Sequence, residues 1–252
     1  MLDRKDQRGS LTMDPELRSG LACLALSFLL TACGGGGTSE PEAAPPTQQP
    51  QQACVSTVRV QLFGDSTQAG WSAEQWGIVQ NRPAVVLQSE MDAAFGAGVV
   101  KVQDRAVSST TLAEMMAGSD GLNAPWPGSV DSDIVVVNHG INDATRYGGS
   151  GLPEYRARLD TLAARLPSGT QLVLQTPNPV TGWDLAPYAQ AMRDVAAQRG
   201  AAVAETFGYV SNLPGTGHLS DWAHPTQAMY SLIARHSLAP AVAPLVRARV
   251  CR

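Results

Sequence analysis

The chain has 252 residues, 44% of them apolar, enough for one domain of about 200 residues with a full core and some accessory chain. Its formal charge is −4 and its only lysines are Lys5 and Lys101, so it lacks the basic stripe that nucleic-acid binding requires. Its histidines (His139, His218, His224, His236) and cysteines (Cys23, Cys33, Cys54, Cys251) include no close pair at metal-ligand spacing, which argues against a zinc site.

The apolar run 21–32 suits the core of a signal peptide and is too short to span a bilayer. It ends in Leu30-Thr31-Ala32-Cys33, which resembles the lipobox of bacterial lipoproteins. That resemblance implies a signal peptide over 1–32, lipidation of Cys33 as the mature N-terminus, and a membrane partner through the lipid anchor. The basic residues Arg4, Lys5 and Arg8 are offset by acidic neighbours, and Met13 is a second candidate start. Gly34 stands where the lipoprotein pattern places an aspartate to retain a protein at the inner membrane, which implies the outer membrane. Residues 33–53, rich in Gly, Pro and Gln, read as a disordered tether, flexible at its glycines and extended at its prolines at roughly 3 Å per residue.

Residues 54–252 form the remaining domain. Cys54 and Cys251 bracket it, and in an exported chain the pair is expected to form a disulfide. Closing so long a loop contributes on the order of 5 kcal/mol at most. Runs rich in Val, Ile and Leu recur at 57–63, 98–103, 133–138, 170–175 and 201–206, with helical stretches between them. That alternation predicts a parallel sheet covered on both faces, with the continuously apolar Ile134-Val135-Val136-Val137 as a central strand. Helices are predicted over 153–165, where Tyr155, Leu159 and Leu162 share a face behind a first-turn proline, and over 185–199 and 226–238. The later prolines blur the last of these.

Ligands of such a sheet bind at the carboxyl ends of its strands. Three motifs fall there. Phe63-Gly64-Asp65-Ser66-Thr67 follows the first strand, Gly140-Ile141-Asn142-Asp143 the third, and Asp221-Trp222-Ala223-His224 lies after the fifth. Each alone is an ordinary turn composition. Together they supply what acyl transfer needs: a hydroxyl in Ser66, a base in His224, a carboxylate in Asp221 to orient that base, and an amide donor in Asn142 for an oxyanion.

This order of motifs strongly resembles the SGNH hydrolase family, also called GDSL esterases and lipases, over about residues 56–248. The resemblance implies an α/β fold, a three-layer α/β/α flavodoxin-like arrangement with a five-stranded parallel sheet. It implies a Ser66, Asp221, His224 triad and an oxyanion hole from the backbone N–H of Ser66, Asn142 and a glycine in a second motif. Here that motif reads Asp104-Arg105-Ala106-Val107-Ser108-Ser109-Thr110-Thr111, so Ser109 occupies the glycine's place. Its N–H can still donate, provided the loop does not demand a positive φ. Thr67 replaces the leucine of the GDSL label and has no chemical role in the triad.

Asp65 and Asp143 are read as loop braces, and His139 and His218 as structural or substrate-facing. Trp71 and Trp222 neighbour the catalytic loops and are the candidate pocket rim. The Gly-x-Ser-x-Gly elbow of α/β-hydrolases is missing from the sequence, which disfavours that fold. The expected protein is a monomeric serine esterase at the cell envelope, using no metal or organic cofactor. Its expected substrate is a small acyl ester or an acetylated glycan, and no long apolar insertion suggests a lid for long-chain lipids. The same site supports acyl transfer to another alcohol if water is excluded. The competing reading is a non-catalytic envelope binding lipoprotein on the same fold.

Overall fold

The computed structural model describes residues 54–251; the expected signal peptide, the lipidation at Cys33 and the linker lie outside the described residues. Five parallel strands form the main sheet: β1 (Val58–Gly64), β2 (Val100–Asp104), β3 (Ile134–Asn138), β4 (Gln171–Gln175) and β5 (Ala202–Ala204). Their spatial order is β2-β1-β3-β4-β5. The helices in chain order are α1 (Ser66–Ala69), α2 (Pro83–Phe95), α3 (Leu112–Ala117), α4 (Ile141–Tyr147), α5 (Leu152–Ala164), α6 (Ala186–Arg199), α7 (Thr206–Ser211), α8 (Gln227–Ile233) and α9 (Ala239–Arg249). A flavodoxin-like strand order reverses direction between β1 and β3, and that switch point is where such folds place a ligand.

Alternation along the strands builds two cores. Val58, Val60 and Leu62 of β1 and Ile134 and Val136 of β3 pack with Leu87 and Met91 of α2 and Val242 and Val246 of α9. The opposite side chains, Phe63, Val135 and Val137, meet Leu112 and Met115 of α3, Leu159 and Leu162 of α5, and Met192 and Val195 of α6. Both sheet faces are therefore covered, which is why β3 is buried at every position. Tyr155, Leu159 and Leu162 sit on the buried face of α5 as their spacing predicts. The register sets Gly64 opposite Asn138, so the carboxyl ends of β1 and β3 are level.

The observed strands start and end within two residues of the apolar runs. The fifth stops early because Thr206 leaves the ladder to start α7, its hydroxyl bonded to Gln175 Nε2 at 3.1 Å and Ser237 Oγ at 2.9 Å. The helix expected over 226–238 is α8 followed by a π turn at Ala234–Leu238 that leads directly into α9. Pro240 in a regular α-helix would clash with the carbonyl four residues earlier, and a widened turn ahead of it relieves that clash. The helix then continues through a second proline, Pro244.

Cys54 and Cys251 are joined, with Cα atoms 4.9 Å apart. The link is reinforced by Val55 N–H donating to Arg249 O at 2.9 Å and Cys251 N–H donating to Val55 O at 3.1 Å. Nearby, Arg249 reaches from α9 to Asp133 at 3.3 Å, at the start of β3, and to the Gly169 carbonyl. Replacing both cysteines by serine is expected to lower the unfolding free energy by about 2–4 kcal/mol, read as a lower urea midpoint with a larger m-value, because the unlinked denatured chain exposes more surface.

Candidate active site

Ser66 is the first residue of α1, a four-residue helix directly after β1. Gly64 is required by space: a Cβ there would lie 2.6 Å from the Asn138 carbonyl oxygen. Asp65 caps the helix, its Oδ1 accepting from Thr67 N–H at 2.9 Å and Thr67 Oγ1 at 2.8 Å, while Gly70 ends it in the left-handed region. The hydroxyl of Ser66 is thereby held at the end of the sheet.

Ser66 Oγ lies 2.9 Å from His224 Nε2, and His224 Nδ1 lies 2.8 Å from Asp221 Oδ2. The other oxygen of Asp221 accepts from the N–H groups of Ala223 at 2.8 Å and His224 at 2.7 Å. The three-residue spacing thus produces a closed turn whose carboxylate fixes backbone and imidazole together. Burial raises the Asp221 pKa, but the His224 and Ala223 amides and the imidazole outweigh it and hold the carboxyl below its ordinary value. A depressed folded-state pKa means that this pairing contributes stability at neutral pH and loses it only as the pH falls through the depressed value. With the carboxylate on Nδ1–H, Nε2 is free to take the Ser66 proton.

Asn142 stands at the start of α4, and its Nδ2 donates to Thr110 O at 3.1 Å and, at 3.3 Å, to Asp65 Oδ2. Both amide protons have protein partners, so donation to an oxyanion involves exchange of the longer bond to Asp65. Asp143 accepts from Leu112 N–H at 3.2 Å and so braces the start of α3. Burial raises the Asp143 pKa against the opposing field of His139.

The Ser109 loop is tied at several points. Val107 N–H donates to Gly64 O at 2.9 Å, and Arg146 donates to Ser109 O while pairing with Glu114 at 2.9 Å. Glu114 and Thr111 form a capping box at the start of α3. Arg146 and this box are absent from the motif reading above, although the Thr-x-x-Glu spacing marks the helix start in the sequence. His139 is buried behind the site with neither ring nitrogen hydrogen-bonded, and the His218 ring lines a depression beside Asp221. Trp71 packs its ring 4.3 Å from that of His224, whereas Trp222 is half exposed. Among the described residues no cluster of His, Cys, Asp and Glu could hold a metal.

The sequence profile of the GDSL-like lipase/acylhydrolase family matches residues 62–232, which include all three motifs. The chain belongs to that family. This GDSL hydrolase is a serine ester hydrolase. No curated protein sequence matches it. Among solved structures it is similar to a variant of an acetyl xylan esterase from Geobacillus stearothermophilus (19% identity, TM-score 0.59, 80% of this chain and 99% of the other). It is also similar to an α/β hydrolase enzyme from the metagenome of Lake Arreo, Spain (20%, 0.58, 77% and 97%), and to a lipase/acylhydrolase from Enterococcus faecalis (20%, 0.59, 76% and 97%). At these identities the likeness is one of fold.

The GDSL hydrolase departs from the family pattern at Ser109, and there the backbone does adopt the glycine conformation, with φ of +63°. A non-glycine residue in the left-handed region costs about 1 kcal/mol or more, so the loop does demand a positive φ, and Ser109 keeps the glycine's backbone conformation, and with it the direction of its N–H, at that cost. Ser109→Gly is expected to raise the unfolding free energy by about 1 kcal/mol in urea titration, with ester turnover retained.

Proposed function

We propose that this GDSL hydrolase cleaves acetyl or short acyl esters through an acyl-enzyme on Ser66, as an exported lipoprotein of the outer membrane. The observation that carries the chemistry is the 2.9 Å approach of Ser66 Oγ to His224 Nε2, with Asp221 on the far nitrogen. Ser66 Oγ attacks the ester carbonyl as its proton passes to His224, and the imidazole then returns that proton to the departing alcohol. Water repeats the sequence on the acyl-serine, releasing the acid and restoring the hydroxyl. Asn142 and the amides of Ser66 and Ser109 donate to the oxyanion, where one such donor is typically worth about 3 kcal/mol. The short acyl preference is supported by the lack of a long apolar insertion between the strands. Fold likeness to an acetyl xylan esterase fits small acyl groups as well.

The test compares hydrolysis of p-nitrophenyl acetate, butyrate and octanoate by the protein and by Ser66→Ala. A fall in kcat of at least about 10³-fold is expected, with Asp221→Asn also reduced about 10³- to 10⁴-fold through loss of the productive tautomer. Mass spectrometry after a fluorophosphonate probe should place the adduct on Ser66. Equal turnover by wild type and Ser66→Ala leaves the non-catalytic reading.

The envelope location is supported by the lipobox-like Leu30-Thr31-Ala32-Cys33 and the Gly/Pro/Gln-rich stretch that follows it. Cys33→Ala is expected to move the protein from the membrane pellet to the soluble fraction; an unchanged distribution would remove the lipid anchor.

A further inference from the structure

Trp126 is the tryptophan of the core, 2% exposed, whereas Trp76 is 83% exposed at the tip of a short antiparallel ribbon made by Trp71–Ser72 and Gly77–Ile78. Trp76 also has φ of +49°, a conformation that bulky side chains rarely adopt. Two independent costs therefore fall on one residue, left-handed backbone strain and an apolar body left in water. Among the described residues its aromatic contact is an edge-to-face one with Trp71, at 6.1 Å between centroids.

That contact leads into the site. The Trp71 ring lies 4.3 Å from the His224 ring, so His224, Trp71 and Trp76 form a continuous aromatic line from the imidazole out to solvent. The ribbon is bolted to the histidine loop. Tyr230 Oη donates to Trp71 O at 2.6 Å, Ala73 N–H donates to Ser220 Oγ at 3.0 Å, and that hydroxyl donates to His224 O at 3.0 Å. On its other side Glu74 accepts from Gln227 N–H at 2.7 Å, at the start of α8. Trp76 is thus strained, exposed, and held at a fixed offset from the candidate general base.

We propose that Trp76, with the Trp71 ring nearly perpendicular beside it, forms a stacking subsite for a pyranose ring of an acylated oligosaccharide. A pyranose has a C–H face that packs on an aromatic ring and a rim of hydroxyls that stays in water, and a ledge open to solvent suits that shape. An acyl tail would need an enclosed apolar channel instead. An anionic lipid surface would need cations, and residues 71–78 contain none, only the carboxylate of Glu74. The inference rests on the Ser66 esterase reading, because the ledge matters as a substrate subsite only if the ester is cleaved beside it.

The experiment measures full-length wild type, Trp76→Ala and Trp76→Phe on p-nitrophenyl acetate and on acetylated xylo- and gluco-oligosaccharides of one, two and four rings. Wild type is expected to gain in kcat/KM when a second ring is added. Trp76→Ala should raise KM for the longer substrates about tenfold at nearly constant kcat, Trp76→Phe should fall between, and all three should match on p-nitrophenyl acetate. No gain from added rings in wild type, or an equal loss on p-nitrophenyl acetate, overturns the subsite. A change confined to p-nitrophenyl octanoate overturns it in favour of an acyl channel. Should wild type hydrolyse no ester, the esterase reading fails, and the subsite is still judged by binding. Xylotetraose or cellotetraose should then quench the tryptophan fluorescence of Ser66→Ala but not of Ser66→Ala with Trp76→Ala, and no quenching of the first sinks it.

Discussion

Asn138 ends the central strand with a buried side-chain amide shared among three strands. Its Nδ2 donates to Gln175 O at 2.9 Å and Thr176 O at 3.3 Å, closing the end of β4, while its Oδ1 lies 3.1 Å from Thr67 Oγ1, whose single proton it shares with the nearer Asp65 Oδ1. Its own backbone carbonyl accepts from Asp65 N–H at 3.3 Å. A parallel sheet runs out of ladder partners at its carboxyl edge, and buried polar groups there must find others. Asn138 provides them, and so sets the height at which the Ser66 loop and the loop into α4 emerge. Ser66, the Asn142 amide and the Ser109 loop all lie at that edge.

Asp65 carries the arrangement one step outward. One of its oxygens organises the first turn of α1 and the other holds Asn142. The Ser66 loop and the Asn142 amide are therefore set by one buried carboxylate, and neither relies on long side chains in solvent. The Ser109 loop is steadied differently, through Arg146, Glu114 and a capping box at the surface. The inner part of the site is rigid by burial and the outer part by exposed ion pairs, which salt screens more readily.

The sheet was legible because its strands are runs of Val, Ile and Leu bounded by turn residues, and burial on both faces leaves no other use for a segment such as Ile134-Val135-Val136-Val137. Ser66, Asn142, Asp221 and His224 could be singled out because loops at one sheet edge must converge, whatever their separation in sequence. The C-terminal helices were less legible: Pro240 and Pro244 read as breakers, yet a π turn leads the helix into Pro240 and α9 continues through Pro244. Backbone conformation was hidden at two residues. The serine at position 109 was visible as a departure, but its positive φ was not, and the Arg146 guanidinium that bonds its carbonyl comes from 37 residues further along the chain. Trp76 gives no sign in the sequence of being other than a core or edge tryptophan, since its exposure follows from how a ribbon of a few residues is fastened to a loop some 150 residues away.

The clasp between Cys54 and Cys251 has a mechanical side. Residue 54 is where the described domain begins, four residues ahead of β1, the strand that leads to Ser66. Tension arriving along the preceding chain meets a covalent link to the end of α9 before it reaches that strand. The load is shared with a helix packed on the sheet and with the Val55 and Arg249 hydrogen bonds beside it. A pull on Cys54 is thereby carried into α9 as well as into β1, which shields the register of β1, and with it the spacing between Ser66 and His224, from that pull.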